Sequence, residues 1–282
     1  MIEKFIPLLV FFLMFIIGAS LQAADFKRLQ EQPKMILVAT LGQVLLLPLA
    51  AWLLITLMQP SAAVAGGLLL VACCPGGAVS NIYSFLAKAN VALSVTLTTM
   101  NSLFSVALLP LLVAFVFPVI FNLQTDIDGL IKKQSLQLVL LLLCPVVLGM
   151  AWRYWQPAIV IKVMPVFERL GALGLLTLLA SIFIQFQQQI ISQLSALVLL
   201  AILFTLISIF IAYAVNKILL VNANDGAAIL IEFPVRNLAL AALIAVSIFD
   251  NSEYLLFAAV FFVVQTPIML AITTWYRKRL TP

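Results

Sequence analysis

The sequence predicts an all-α integral membrane protein of about nine transmembrane helices, arranged as inverted repeats with two broken helices crossing near mid-membrane. Three observations point there. Of 282 residues, 65% are hydrophobic and 9% charged, with a mean hydropathy of +1.23, a balance outside the range of domains whose whole surface faces water. Uncharged runs such as 5–22, 35–59, 134–152 and 193–216 approach or exceed the roughly 20 residues that a helix needs to cross a bilayer. Two apolar runs carry proline-centred interruptions, CCPGG at 73–77 and EFPVRN at 232–237. A helix must open there, because proline lacks a backbone donor and clashes with the preceding turn.

Taken in order, the spans fall near 5–22, 34–58, 61–88, 91–119, 129–152, 163–187, 190–219, 223–249 and 252–276. The first resembles a cleavable signal in being followed by small residues. Glu3 and Lys4 leave its leading segment without net side-chain charge and its apolar stretch is long, so a retained span is expected. Nine crossings collect eleven basic residues on one side (Lys27, Arg28, Lys34, Lys88, Arg153, Lys162, Arg169, Lys217, Arg277, Lys278 and Arg279) against three on the other (Lys4, Lys132 and Lys133), with Arg236 inside a span. The positive-inside rule then puts the amino terminus outside and the carboxyl terminus in the cytoplasm. Each interrupted span is third in a set of four, the sets being separated by span 129–152, the pattern expected of inverted repeats whose broken helices build a midplane site. Backbone groups freed at the breaks are expected to face a binding cavity.

Composition also excludes. With no histidine, the usual hydrolytic and metalloprotease constellations are missing, and no enzyme is expected. Cys73, Cys74 and Cys144 sit in apolar context and read as packing residues. The net charge of +5 resides at span ends and sets orientation, so no nucleic acid is implied. The Gln185–Gln189 run and the loop with Asp126 and Asp128 read as solvated connections.

The polar residues inside the spans are few. Ser80 and Asn81 follow the first break, Ser94 and Thr98 lie one helical turn apart on the next span, and Glu232 sits at the second break. Hard oxygen donors of this kind suit a small alkali cation. Equally, Ser and Thr hydroxyls often bond their own helix backbone. A carboxylate within a span is functional or paired by default.

The stretch CCPGGAVSNIYSFLAKANVALSVTLTTMNSLFSVALLPLL at 73–112 resembles the bile acid:sodium symporter family, and IEFPVRNLALAA at 231–242 is similar to that family's second crossover motif in altered form. The resemblance covers nearly the whole chain and includes nine-span members that lack the first helix of the ten-span form. It implies a single transmembrane transporter domain, 1–282, with panel-like helices at about 1–30 and 126–188 and core-like helices at about 34–119 and 190–278. It also implies residence in a bacterial cytoplasmic (inner) membrane and sodium-coupled symport of a small organic anion, a carboxylate, by alternating access. The bilayer and that anion are the expected partners, with the anion's identity and the oligomeric state left open.

By the same resemblance, Ser80, Asn81, Ser94, Thr98 and Glu232 match the family's first sodium site. Its second site is matched by Gln43, by Glu232 again and by the backbone oxygens of Phe233 and Val235, but a further glutamine is Arg236 here. A guanidinium is a permanent cation with no lone pair for a metal, so one Na+ is expected. The region that takes organic anions in the family is matched by Ala78, Val79, Arg236, Asn237, Gln265 and Thr266, where half-helix amino ends offer N–H groups to a carboxylate. The alternative is a proton-coupled or uncoupled transporter of the same fold, with Arg236 replacing a sodium. At four-residue spacing, Arg236 could also form a local salt bridge with Glu232.

Overall fold

In the computed structural model, residues 2–20, 30–77, 79–105, 144–247, 249 and 251–280 are described. Their regular structure is helical. Helix α1 covers Ile2–Ser20. Helix α2, Pro33–Met58, starts on a proline, whose missing N–H is no loss at a helix's first position. It loosens to π geometry over Gly42–Leu46 just ahead of Pro48, which cannot donate to the carbonyl four residues back. Helices α3 (Ala62–Cys73) and α4 (Val79–Leu86) are the halves of the first broken span. Ser61 caps α3, accepting from the N–H of Val64, and Pro75 follows its end. Lys88, at φ 56°, closes the turn into α5 (Val91–Ser105).

Helices α6 (144–155), α7 (Pro157–Gln185), the short α8 (Gln187–Ser192) and α9 (Leu194–Leu219) follow. The glutamine run at 185–189 thus bends from one helix into the next at Phe186. The second broken span comprises α10 (Ala223–Glu232) and α11 (Leu238–Ser247). A single 3₁₀ turn, Ser252–Tyr254, leads into α12 (Leu255–Leu280). The spans expected at 91–119 and 129–152 fall partly outside the described residues.

Among the described residues, four helical segments are long and apolar enough to cross a membrane: Pro33–Met58, Pro157–Gln185, Leu194–Leu219 and Ser252–Leu280. Neither half of a broken span reaches that length alone. The chain is a multi-pass membrane protein, and its surface agrees with lipid as solvent. Ile159, Ile161, Val166, Leu170, Leu173 and Leu176 of α7 are all exposed.

Packing sorts the helices by burial. Every residue of α10 from Asp225 to Glu232 is buried, as is all of α3 from Val64 to Cys73, so these two lie at the centre. α10 packs on α4, α9 and α12, and α3 on α2, α11 and α12. α1 packs on α6 and α7 along one side and on α11 along another, and α7 also meets α12. Gly18 of α1 and Gly149 of α6 let the two backbones touch, since a side chain on Gly18 would strike the Val146 carbonyl and one on Gly149 the Phe15 carbonyl. Phe15 stacks on Trp152 at 5.5 Å, and Phe12 meets Phe167 at 5.3 Å.

Candidate cation and substrate site

The breaks meet. Gly76 and Arg236 form an isolated antiparallel bridge, in which the Gly77 N–H donates to Val235 O at 2.9 Å and the Asn237 N–H to Pro75 O at 2.9 Å. Freed backbone was expected to face a cavity. These four groups pair break to break instead, because two extended segments that cross offer matched donors and acceptors. The pairing needs glycine at 77, where a Cβ would stand 2.9 Å from Arg236 O, while a Cβ at 76 would run into the Glu232 carboxylate.

Glu232 is fully buried, and α5 supplies most of its surroundings. Thr98 Oγ1 lies 2.8 Å from Glu232 Oε1, and Ser94 Oγ 3.4 Å from Oε2. Asn81 Oδ1, from α4, is 2.9 Å from Ser94 Oγ and 3.4 Å from Thr98 Oγ1. Ser80 Oγ is 3.3 Å from Thr98 Oγ1 and donates to Gly77 O at 2.8 Å. Five side chains from three helices, α4, α5 and α10, therefore share one small volume. The backbone-bonding reading of the hydroxyls holds in part: Thr98 also reaches Ser94 O at 3.0 Å, and Thr96 and Ser102 bond carbonyls of their own helix.

The oxygen spacings fit a cation cage. Hard cations of calcium's size, which sodium nearly shares, take oxygens at about 2.4 Å, and an octahedron of that radius has edges of about 3.4 Å. The neighbouring oxygens here are 2.8–3.4 Å apart. With one carboxylate and no group of three His, Cys, Asp or Glu among the described residues, the donor set suits a monovalent ion better than a divalent or transition metal.

Beside it lies a second oxygen-rich pocket, already holding a cation. Arg236 is 5% exposed. Its Nη1 donates to Gln43 Oε1 at 2.9 Å and Phe233 O at 3.4 Å, and its Nη2 to Ala72 O at 3.4 Å and to Cys74 O. Gln43 and Phe233 are thereby spent on the guanidinium, and the Val235 carbonyl on Gly77. No ion pair joins Arg236 to Glu232 among the described residues, because the break takes position 236 out of helical register. The local salt bridge is replaced by capping of two helix C-termini, where carbonyls lack partners and negative dipole charge accumulates.

Asn101, three residues beyond Thr98, is fully buried and donates to Gln43 Oε1. An amide within an uncharged span was the available signal for it. Of the anion-region residues, Asn237 caps α11 by accepting from the Leu240 N–H at 3.1 Å. Val79 opens α4, and Ala78 lies outside the described residues. Gln265 is 4% exposed, with its Nε2 unpartnered among the described residues. Thr266 bonds Phe262 O at 2.7 Å and contacts the Tyr83 side chain, so α12 does face α4.

Apolar spanning helices with paired breaks around a buried carboxylate are features that many secondary transporters share. The chain belongs to the Sodium Bile acid symporter family, whose profile matches residues 7–193. It is 28% identical over 249 residues to an uncharacterized sodium-dependent transporter of Bacillus subtilis (strain 168), covering 88% of this chain and 76% of that one. Two chloroplastic proteins, each named as a "probable sodium/metabolite cotransporter", are similar as well. That of Oryza sativa subsp. japonica is 29% identical over 85% of this chain and 56% of its own length, and that of Arabidopsis thaliana 31% identical over 83% and 57%. The chain thus spans little more than half the length of these plant relatives.

Proposed function

We propose that the protein is a sodium-coupled symporter of a small organic anion, a carboxylate, moving one Na+ through the cage of Ser80, Asn81, Ser94, Thr98 and Glu232. The observation that carries this is the fully buried Glu232 carboxylate, with hydroxyls of one break-flanking helix at 2.8 and 3.4 Å. An unpaired carboxylate in hydrocarbon is costly unless a cation visits it. Arg236 occupies the oxygens that would otherwise hold a second ion, and its fixed charge stands in for that ion. The anion binds beside the cage, at the amino ends of α4 and α11 near Val79 and Asn237, with Gln265 and Thr266 opposite.

The protein works in a bacterial cytoplasmic membrane by alternating access, with nine spans, amino terminus outside and carboxyl terminus in the cytoplasm. The close packing of α1 on α6 and α7 supports a panel that meets, through α11 and α12, a core built of inverted repeats. Repeat symmetry is supported by reciprocal docking: the turn after α4 packs on the start of α10, and the turn after α11 packs on α3, with Tyr254 over Gly66 and Gly67. Uptake of candidate carboxylates into proteoliposomes, titrated with sodium at fixed pH, tests the proposal. Saturable, sodium-dependent uptake is expected; uptake that follows a proton gradient, or none, selects the proton-coupled or uncoupled reading.

A further inference from the structure

A second polar cluster lies away from the cage, at the start of two helices. Asn90 precedes α5 and accepts from the Leu93 N–H at 3.1 Å; Asn222 precedes α10 and accepts from the Asp225 N–H at 3.0 Å. Both caps turn their amide nitrogens on one carboxylate. Asn90 Nδ2 donates to Asp225 Oδ1 at 2.6 Å, and Asn222 Nδ2 to Asp225 Oδ2 at 2.7 Å. The Asn90 N–H also donates to Asn224 O at 3.2 Å. Asp225 is buried, 9% exposed, and shares no oxygen with the cage.

From this knot α5 and α10 run side by side. At about 1.5 Å per residue, Thr98 stands about 12 Å beyond Asn90 and Glu232 about 10 Å beyond Asp225, and there their side chains meet at 2.8 Å. Two rods pinned at one end keep a common register only while the pin holds. Ser94 and Thr98 can then present their oxygens to Glu232 at the spacing a cation needs. A slip of α10 by one residue would turn Glu232 through about 100° and remove it from the cage.

We infer that Asp225 and Asn90 are positioning residues for sodium, a latch that sets the register of α5 against α10. This rests on the proposed cation site. The strength of the pin is that of charge-assisted hydrogen bonds at two helix N-termini, where a carboxylate is favoured. Asp225→Asn removes the charge and sets one amide nitrogen against another. The exchange Asn90→Asp with Asp225→Asn restores every donor–acceptor pair: the carboxylate at 90 still caps Leu93, and the amide at 225 donates to it while accepting from Asn222.

The test is sodium-dependent thermal stabilisation of the purified full chain, with potassium balancing ionic strength, so that binding is read without transport. Asp225→Asn should raise the sodium midpoint about tenfold, and the exchange should return it to within about twofold of the parent value. If Asp225→Asn does not fold, Asn90→Ala, which keeps the Asn222 contact, takes its place with the same expected shift. A parent chain stabilised by sodium whose Asp225→Asn or Asn90→Ala variant keeps the parent midpoint overturns the latch alone. An exchange variant that stays as weak as the single one also overturns it. A parent chain indifferent to sodium overturns the cation site, and the latch's role with it.

Discussion

Arg236 donates to Gln43 Oε1 at 2.9 Å across 193 positions of sequence, joining the second break to the π turn of α2. The same guanidinium reaches Ala72 O and Cys74 O at the end of α3. One permanent cation therefore ties together three elements whose facing groups are all oxygens.

Arg236→Gln should vacate that pocket. An added sodium then becomes possible at Gln43 and the freed carbonyls, and the sodium to substrate ratio should rise from one to two. Each extra positive charge crossing the field adds about 2.3 kcal/mol per 100 mV to the attainable gradient. Reversal potentials in proteoliposomes read the ratio directly. A value of two in the unmodified chain would defeat the substitution.

Glu232→Gln keeps the shape and removes the charge. Sodium-dependent stabilisation should vanish, while the variant unfolds at or above the temperature of the sodium-free parent, since a buried carboxylate without its ion is costly. Thr98→Ala removes one cage oxygen and should weaken sodium by roughly tenfold, about 1.4 kcal/mol. Thermal titration against sodium distinguishes the two, and a Glu232→Gln protein with parental sodium dependence would exclude the site.

Gly76→Ala drives a methyl group into the Glu232 carboxylate. Sodium binding should fall more than overall stability, because the carboxylate can turn aside while the bridge to Arg236 survives. Ion titration and thermal unfolding of the same sample measure both. Equal losses in the two would place the effect in the fold rather than in the cage.

Gly67→Ala is the contrasting case. Its methyl would press on the backbone carbonyl of Tyr254 and on Phe257, neither of which is among the cage residues. A stability loss of about 1–3 kcal/mol is expected from overpacking, with the sodium midpoint unchanged. Chemical or thermal denaturation in detergent gives the first quantity, and the sodium titration the second.

Much of this molecule is legible without coordinates. Apolar length marks α2, α7, α9 and α12 as spans because a bilayer measures length locally. Pro75 and Pro234 mark the breaks because a missing donor is a property of the residue itself. Ser80, Asn81, Ser94, Thr98 and Glu232 stand out because polar groups are conspicuous in apolar runs, and the structure brings these five together. Tertiary structure alone decided which groups face which. It chose Gln43 and two helix-end carbonyls, rather than Glu232, as the partners of Arg236. It paired the breaks with each other through Gly77 and Asn237, brought Asn101 onto Gln43, and set Asn90 and Asn222 on Asp225. Those contacts, apart from the one between Asn222 and Asp225, span from 58 to 193 positions of sequence. They depend on how helices far apart in the chain lie against one another, a relation that periodicity and composition do not encode.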